Sequence, residues 1–111
     1  MDDIGYAFKY NSLADRLNDI DVIVAEVCGA NDEYDWYWIL QMKNGTFSWA
    51  SGGCDYTGWC CQSSAQIEDG FLTAKEAIEK LELSKYEHRK GIKECLIKQI
   101  NDEIPFALYE S

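Results

Sequence analysis

Residues 35–43 and 46–51 set Trp36, Trp38, Leu40, Met42, Phe47 and Trp49 at every second position of each stretch, and Asn44-Gly45 lies between the two. Alternation with a period of two is the mark of a strand, and Asn-Gly favours a two-residue type I′ hairpin loop because both residues tolerate positive φ. A two-residue loop sets Lys43 opposite Thr46, Met42 opposite Phe47 and Leu40 opposite Trp49. That register puts Trp36, Trp38, Leu40, Met42, Phe47 and Trp49 on one face. Tyr37, Ile39, Gln41, Lys43, Thr46, Ser48 and Ala50 fall on the other, and a slip of one residue scrambles the two sets. The tryptophan face is expected to be the buried one.

Further elements follow the same reasoning. Residues 21–28 contain Val22, Ile23, Val24 and Val27 and read as a strand. Residues 29–33 read as a turn, and a further strand is expected around 63–71. Near the start, Asn11 or Ser12 caps a short helix carrying Leu13, Arg16 and Leu17. In the last third, Thr73-Ala-Lys-Glu76 reads as a capping box before an Ala74, Ala77, Ile78, Leu81 stripe. Ser84-Lys-Tyr-Glu87 reads as a second one, before a stripe of Ile92, Cys95, Leu96, Ile100 and Ile104. Gly91 weakens that second helix and Pro105 stops it. The expected fold is a single α+β domain over 1–111: a small antiparallel sheet of three to four strands around the central Asn-Gly hairpin, covered on one face by two C-terminal helices.

Composition narrows the function classes. The chain has 111 residues, which suits one core. No run of eighteen apolar residues occurs, so no membrane span is expected. The start, Met1-Asp2-Asp3-Ile4, is acidic and carries no apolar signal segment. Five cysteines, an odd number, fit free thiols in a reducing cytoplasm better than a disulfide framework. The formal net charge of −10 opposes direct binding to nucleic acid. The charge is uneven: residues 1–35 hold nine carboxylates against Lys9 and Arg16, an excess of seven, whereas from Phe71 onward acids and bases nearly balance. Such an N-terminal third reads either as a solvating surface or as a patch that meets a basic partner.

The least generic segment follows the hairpin: Gly53-Cys54-Asp55-Tyr56-Thr57-Gly58-Trp59-Cys60-Cys61-Gln62. Asp55 and Gly58 favour a compact turn, anchored by Tyr56 and Trp59. Together with the preceding aromatic hairpin Trp36-Tyr37-Trp38, this motif resembles a family of small phage and prophage proteins, most densely over 22–62. In that pattern an Asp is expected where this chain has Cys60. The resemblance implies an accessory protein acting in the cytoplasm of a bacterial host, with Cys54, Asp55, Tyr56, Gly58, Trp59 and Cys61 as its marker loop. It implies no particular activity.

Four chemistries can be weighed on the residues. Thiolates at Cys54, Cys60 and Cys61, completed by His88, Cys95 or Asp55, have enough ligands for zinc, but five residues separate Cys54 from Cys60 and no second Cys pair exists. A cysteine nucleophile needs a base, and His88 is the one histidine, with nothing in the sequence setting it against a thiol. There is no P-loop, no glycine-rich dinucleotide turn and no Gly-x-Ser-x-Gly elbow, so no enzyme activity and no cofactor are expected. Tyr34, Tyr37, Tyr56 and Trp59 allow an aromatic pocket for a nucleotide, although such rings usually pack a core.

The reading that remains is a small acidic binding protein. It docks a host protein with a basic surface, such as a nucleic-acid-binding defence factor, and inhibits or redirects it in the manner of an anti-CRISPR protein or a DNA mimic. Asp15, Asp19, Asp21, Asp32, Glu33 and Asp35 are the expected contacts, with Tyr34 as an aromatic anchor. The alternatives are a nucleotide-binding module that sequesters an immune signal and a structural zinc protein.

Overall fold

The computed structural model describes residues 3–30, 33–54, 62–85 and 87–109, with backbone alone for 54, 62 and 63. Four strands, β1 (Ile20–Val27), β2 (Trp36–Met42), β3 (Phe47–Cys54) and β4 (Gln62–Phe71), form one antiparallel sheet in the order β1-β2-β3-β4. Helices α2 (Ala74–Lys80) and α3 (Ile92–Ile100) lie on one face. The other face carries α1 (Asp3–Lys9) and a 3-10 helix, Ala14–Asp19. The expected α+β class, the antiparallel sheet and its cover of two C-terminal helices are all present. The second cover, by α1, lies outside the expectation: Ile4, Ala7 and Phe8 recur at helical spacing and are buried against the sheet.

The hairpin register corrects the sequence-based reading. Gln41 pairs with Phe47, Ile39 with Trp49 and Trp38 with Ala50, one residue away from the expected register. The loop holds three residues, Lys43, Asn44 and Gly45, closed by the Met42 amide donating to the Thr46 carbonyl (2.8 Å) and the Gly45 amide to that of Met42 (3.0 Å). Gly45 alone takes positive φ, +88°, and Asn44 instead accepts from the Thr46 amide (3.0 Å) and hydroxyl (2.6 Å) through its side chain. A type I′ turn needs positive φ at both central residues, and a three-residue loop needs it at the glycine only. The tryptophans are therefore split between faces. Trp36, Trp38, Leu40 and Met42 pack under α1 with Ala50, while Trp49 joins Tyr37, Ile39, Ala25 and Val27 under α2 and α3. Phe47 packs against that second cluster. Both faces of the sheet are core, so every residue from Trp36 to Leu40 is buried.

The helices show where local signals hold and where they yield. Thr73 caps α2 by accepting from the Glu76 amide (3.1 Å), as its capping box requires. The second box does not open a helix. The Ser84 amide donates to the Tyr37 hydroxyl (3.0 Å), and the Glu87 carboxylate turns to Arg89 and Tyr37. The helix starts at Ile92 after Gly91, which sits at φ +75° as its N-cap rather than within it. Its end is also set before Pro105. Asp102 takes φ +58°, its amide donates to Gln99 (3.2 Å), and the Glu103 amide donates to Lys98 (2.8 Å), the two bonds of a Schellman close. Near the N-terminus, Asn11 donates through its side chain to the Ala7 carbonyl (2.9 Å), so it caps the end of α1 instead of the start of the next helix. That next segment is 3-10, preceded by Leu13 and without a side-chain cap. No helix among the described residues is long and apolar enough to cross a membrane.

Candidate functional site

The sheet order leaves β1 as an edge strand. Two bulges break its pairing with β2, at Asp21 and at Val24. A bulge bends the strand and twists its edge away from a regular ladder. At its far end the edge is closed by a side chain. Gln99 of α3 accepts from the Glu26 amide (2.9 Å) and donates to the Glu26 carbonyl (2.8 Å), as a neighbouring strand would. The same amide group accepts from Ala107 (2.9 Å) and donates to Leu108 (3.2 Å), tying the C-terminal segment to the sheet edge.

Between α1, the 3-10 helix and β1 runs an uncovered groove of about 440 Å³, floored by Ile4, Leu17, Ile20 and Ile23 and edged by Asp21 and Val22. Val22 is 47% exposed. Asp15 and Asp19 lie exposed on the 3-10 helix that forms one wall, and Asp21 is exposed on the strand. Arg16 bonds Asp19 (3.2 Å) and Asp69, and Lys43 lies near the same two carboxylates. Of the three, Asp21 lines this groove, while Asp19 borders a separate depression with Met42, Lys43, Asn44 and Asp69.

The remaining predicted contacts lie elsewhere. Glu33, Tyr34 and Asp35 sit beyond the other end of β1, which spans five β2 steps, about 17 Å at about 3.3 Å per residue. Glu33 is exposed there. Asp32 lies outside the described residues. The Tyr34 ring is packed, with the Arg89 guanidinium 4.5 Å above it and the His88 ring at 5.1 Å. Asp35 offers its carbonyl to Arg89 (2.7 Å).

Arg89 is the organising group of that end, and nothing in the sequence marks it. Its guanidinium makes a two-point contact with Glu87 (3.0 and 3.1 Å) and reaches the Cys28 (2.8 Å) and Asp35 carbonyls, so it clamps both ends of the β1–β2 connection. The side chains of Arg89 and Glu87 are only 9% and 2% exposed. Burial by itself pushes the Glu87 carboxyl up, but the hydrogen bonds and charge of Arg89, with the Tyr37 hydroxyl (3.3 Å), hold it below the ordinary carboxylate value. Tyr37 is fully buried and its phenol is pushed up, chiefly by that burial. Tyr37 therefore offers no free face for a nucleobase, and the Tyr34 ring already stacks on Arg89.

On the α1 side of the sheet, Glu26 of β1 and Cys28 just past the strand's end come together with Asp3 of α1. Their ligand atoms fall within 4.8 Å of one another. Two indoles already answer the carboxylates: Trp38 donates to Glu26 (2.5 Å) and Trp36 to Asp3 (3.2 Å), while the Cys28 thiol faces Glu26 (3.7 Å). Partial burial, then the charge and hydrogen bond of Glu26 and the charge of Asp3, push the Cys28 thiol up to about 11. A thiol so placed is a poor nucleophile at neutral pH.

Among the described residues, the other zinc and thiol candidates, Cys95 and His88, do not join that cluster. Cys95 is buried in the core under α3, and His88 lies on the link before α3, against Tyr34. Cys54 ends β3 opposite Gln62 of β4. The rest of the motif loop, Asp55, Tyr56, Gly58, Trp59, Cys60 and Cys61, lies outside the described residues. No family model, curated protein or solved structure matches this chain.

Proposed function

We propose that this is a binding protein of the phage accessory type, which docks on a basic surface of a host protein in the bacterial cytoplasm and inhibits or redirects it without chemistry of its own. One observation carries the reading: exposed Asp21 edges an uncovered apolar groove, and exposed Asp15 and Asp19 stand on the 3-10 helix that leads into that strand. Carboxylates steer a basic partner and set its orientation, and apolar surface supplies affinity once water is expelled. A merely solvating surface needs the first and has no use for the second. A nucleic-acid-binding defence factor fits such a partner, since its groove already accepts an anionic ligand.

The experiment is capture of a basic DNA-binding protein from a bacterial lysate by the tagged protein, at low and high salt, beside the triple variant Asp15→Lys, Asp19→Lys, Asp21→Lys. Capture that falls at least tenfold with salt and with the variant supports the proposal. Capture indifferent to both refutes it.

A further inference from the structure

The two edges of the sheet differ in how they are closed. β1 is bulged at Asp21 and Val24, and Gln99 fills its edge at Glu26. β4 runs in unbroken register along β3 from Ser64 to Glu68, and among the described residues no backbone hydrogen bond joins it to any other segment. Its irregularities fall outside that stretch, at residue 63 and at Asp69–Gly70. Residues 62–71 include no proline and no lysine, and residues 62–67 carry no charge. Such an edge lacks the devices that keep strands from pairing with another chain.

We infer that β4 pairs antiparallel with β4 of a second copy about a two-fold axis at Gln66, joining the two sheets into one of eight strands. The order of side chains selects a second copy over a foreign strand. A two-fold axis sets one residue opposite itself. With Gln66 in that place, Ala65 meets the second copy's Ile67 and Ser64 meets its Glu68, and the converse pairs form on the other side of the axis. The whole regular stretch is then used, and each Glu68 carboxylate faces a hydroxyl instead of another carboxylate. Ser64, Gln66 and Glu68 are exposed, so their side of the new ladder is polar. Ala65 and Ile67 are half-buried against the α1 cluster, so their side continues the apolar layer from one copy to the next. An axis at Glu68 sets like charges opposite each other, and β1 has no regular edge to offer in place of β4. The groove at Asp21 and Val22 stays at both outer edges of the eight-stranded sheet, clear of the joint.

Five residue pairs cover about 17 Å of edge, and each copy carries a net charge of −10 that opposes the other. The dimer is therefore weak and strengthened by salt, the reverse of the salt effect expected for capture of a basic host protein. Sedimentation velocity over a range of protein concentrations reads it directly. We expect a monomer–dimer equilibrium that tightens at least threefold from about 0.01 to about 0.15 M salt, as the screening length falls from about 30 to about 8 Å. Gln66 is exposed and lies opposite itself, so Gln66→Glu and Gln66→Lys each set like charges together and weaken the dimer. Gln66→Lys does so although it lowers the net repulsion. An equimolar mixture of the two variants should associate at least fivefold more tightly than either alone, which unfolded variants would not do. A chain that is monomeric at every concentration and salt overturns the inference. So does a dimer that both Gln66 variants leave unchanged, or a mixture that associates no better than its components. Amide shifts at residues 64–68 that require an added Val-Thr strand peptide, with the chain itself monomeric, overturn it in favour of a foreign strand.

Discussion

Replacing Gln99 by Met keeps most of the side-chain volume and removes four hydrogen bonds at once. The Glu26 and Ala107 amides lose their acceptor, and the Glu26 and Leu108 carbonyls lose their donor. Each such bond is worth about 1 kcal/mol net, and a buried group left without a partner costs more. The site is at a sheet edge, where water recovers part of the loss, so the expected destabilisation is about 3 kcal/mol. With a urea m-value of about 1.5 kcal/mol/M, the unfolding midpoint falls by about 2 M with m unchanged. Hydrogen exchange on the native protein should also lose protection at the Glu26 and Ala107 amides specifically. Gln99→Glu separates the two halves of the effect. A carboxylate still accepts from both amides but sets its charge against two carbonyls, so its deficit should shrink as pH falls and the acid protonates. A midpoint shift below about 0.5 M for Gln99→Met, with both amides still protected, refutes the assignment of Gln99 as the strand substitute that seals β1.

Arg89→Ala leaves the Glu87 carboxylate buried without its counter-ion and should cost about 3–5 kcal/mol by urea unfolding. The same pair sets a pH dependence. Glu87 titrates lower in the folded protein than its ordinary 4.5, so its stabilisation is complete above about pH 4.5 and is lost as pH falls through the folded value. The stability gap between the native protein and Glu87→Gln should therefore be flat at neutral pH and narrow in acid. At pH 8 a thiol pushed from 9.0 to about 11 is about a hundredfold less ionised. Its greater intrinsic nucleophilicity recovers about tenfold, so Cys28 should alkylate about tenfold more slowly than a free cysteine, read by site-resolved mass spectrometry. Glu26→Gln should speed it. Gly45→Ala places a Cβ at φ +88°, with nothing within 4 Å to clash, so its cost is backbone strain alone, about 1 kcal/mol by urea unfolding.

Strand existence is legible in this sequence because alternation and turn chemistry act over a few residues. Register is not, because Asn44-Gly45 serves a two-residue loop and a three-residue loop equally well, and the choice between them moves Trp49 and Phe47 to the opposite layer. With both faces buried, the hydrophobic pattern gives no penalty that separates the two registers. The second capping box fails for a related reason: its Ser84 amide and Glu87 carboxylate find Tyr37 and Arg89, partners that the tertiary fold supplies. The candidate contacts were legible as acids but not as neighbours. Asp15, Asp19 and Asp21 gather at one end of β1, while Glu33, Tyr34 and Asp35 lie at the other, where Arg89 occupies the Tyr34 ring. Gln99 and Arg89 carry no local signature, since a polar residue on a helix face and a cation in a link are ordinary until the groups they meet are placed.

Site-specific photo-crosslinking offers the sharpest discrimination, with a photoreactive residue placed at Val22 or at Glu33 in bacterial lysate. The account predicts adducts from the Val22 position, mapping to a lysine- or arginine-rich surface of the captured protein and suppressed by salt. Adducts that form equally from both positions, or from the Glu33 position alone, would contradict it.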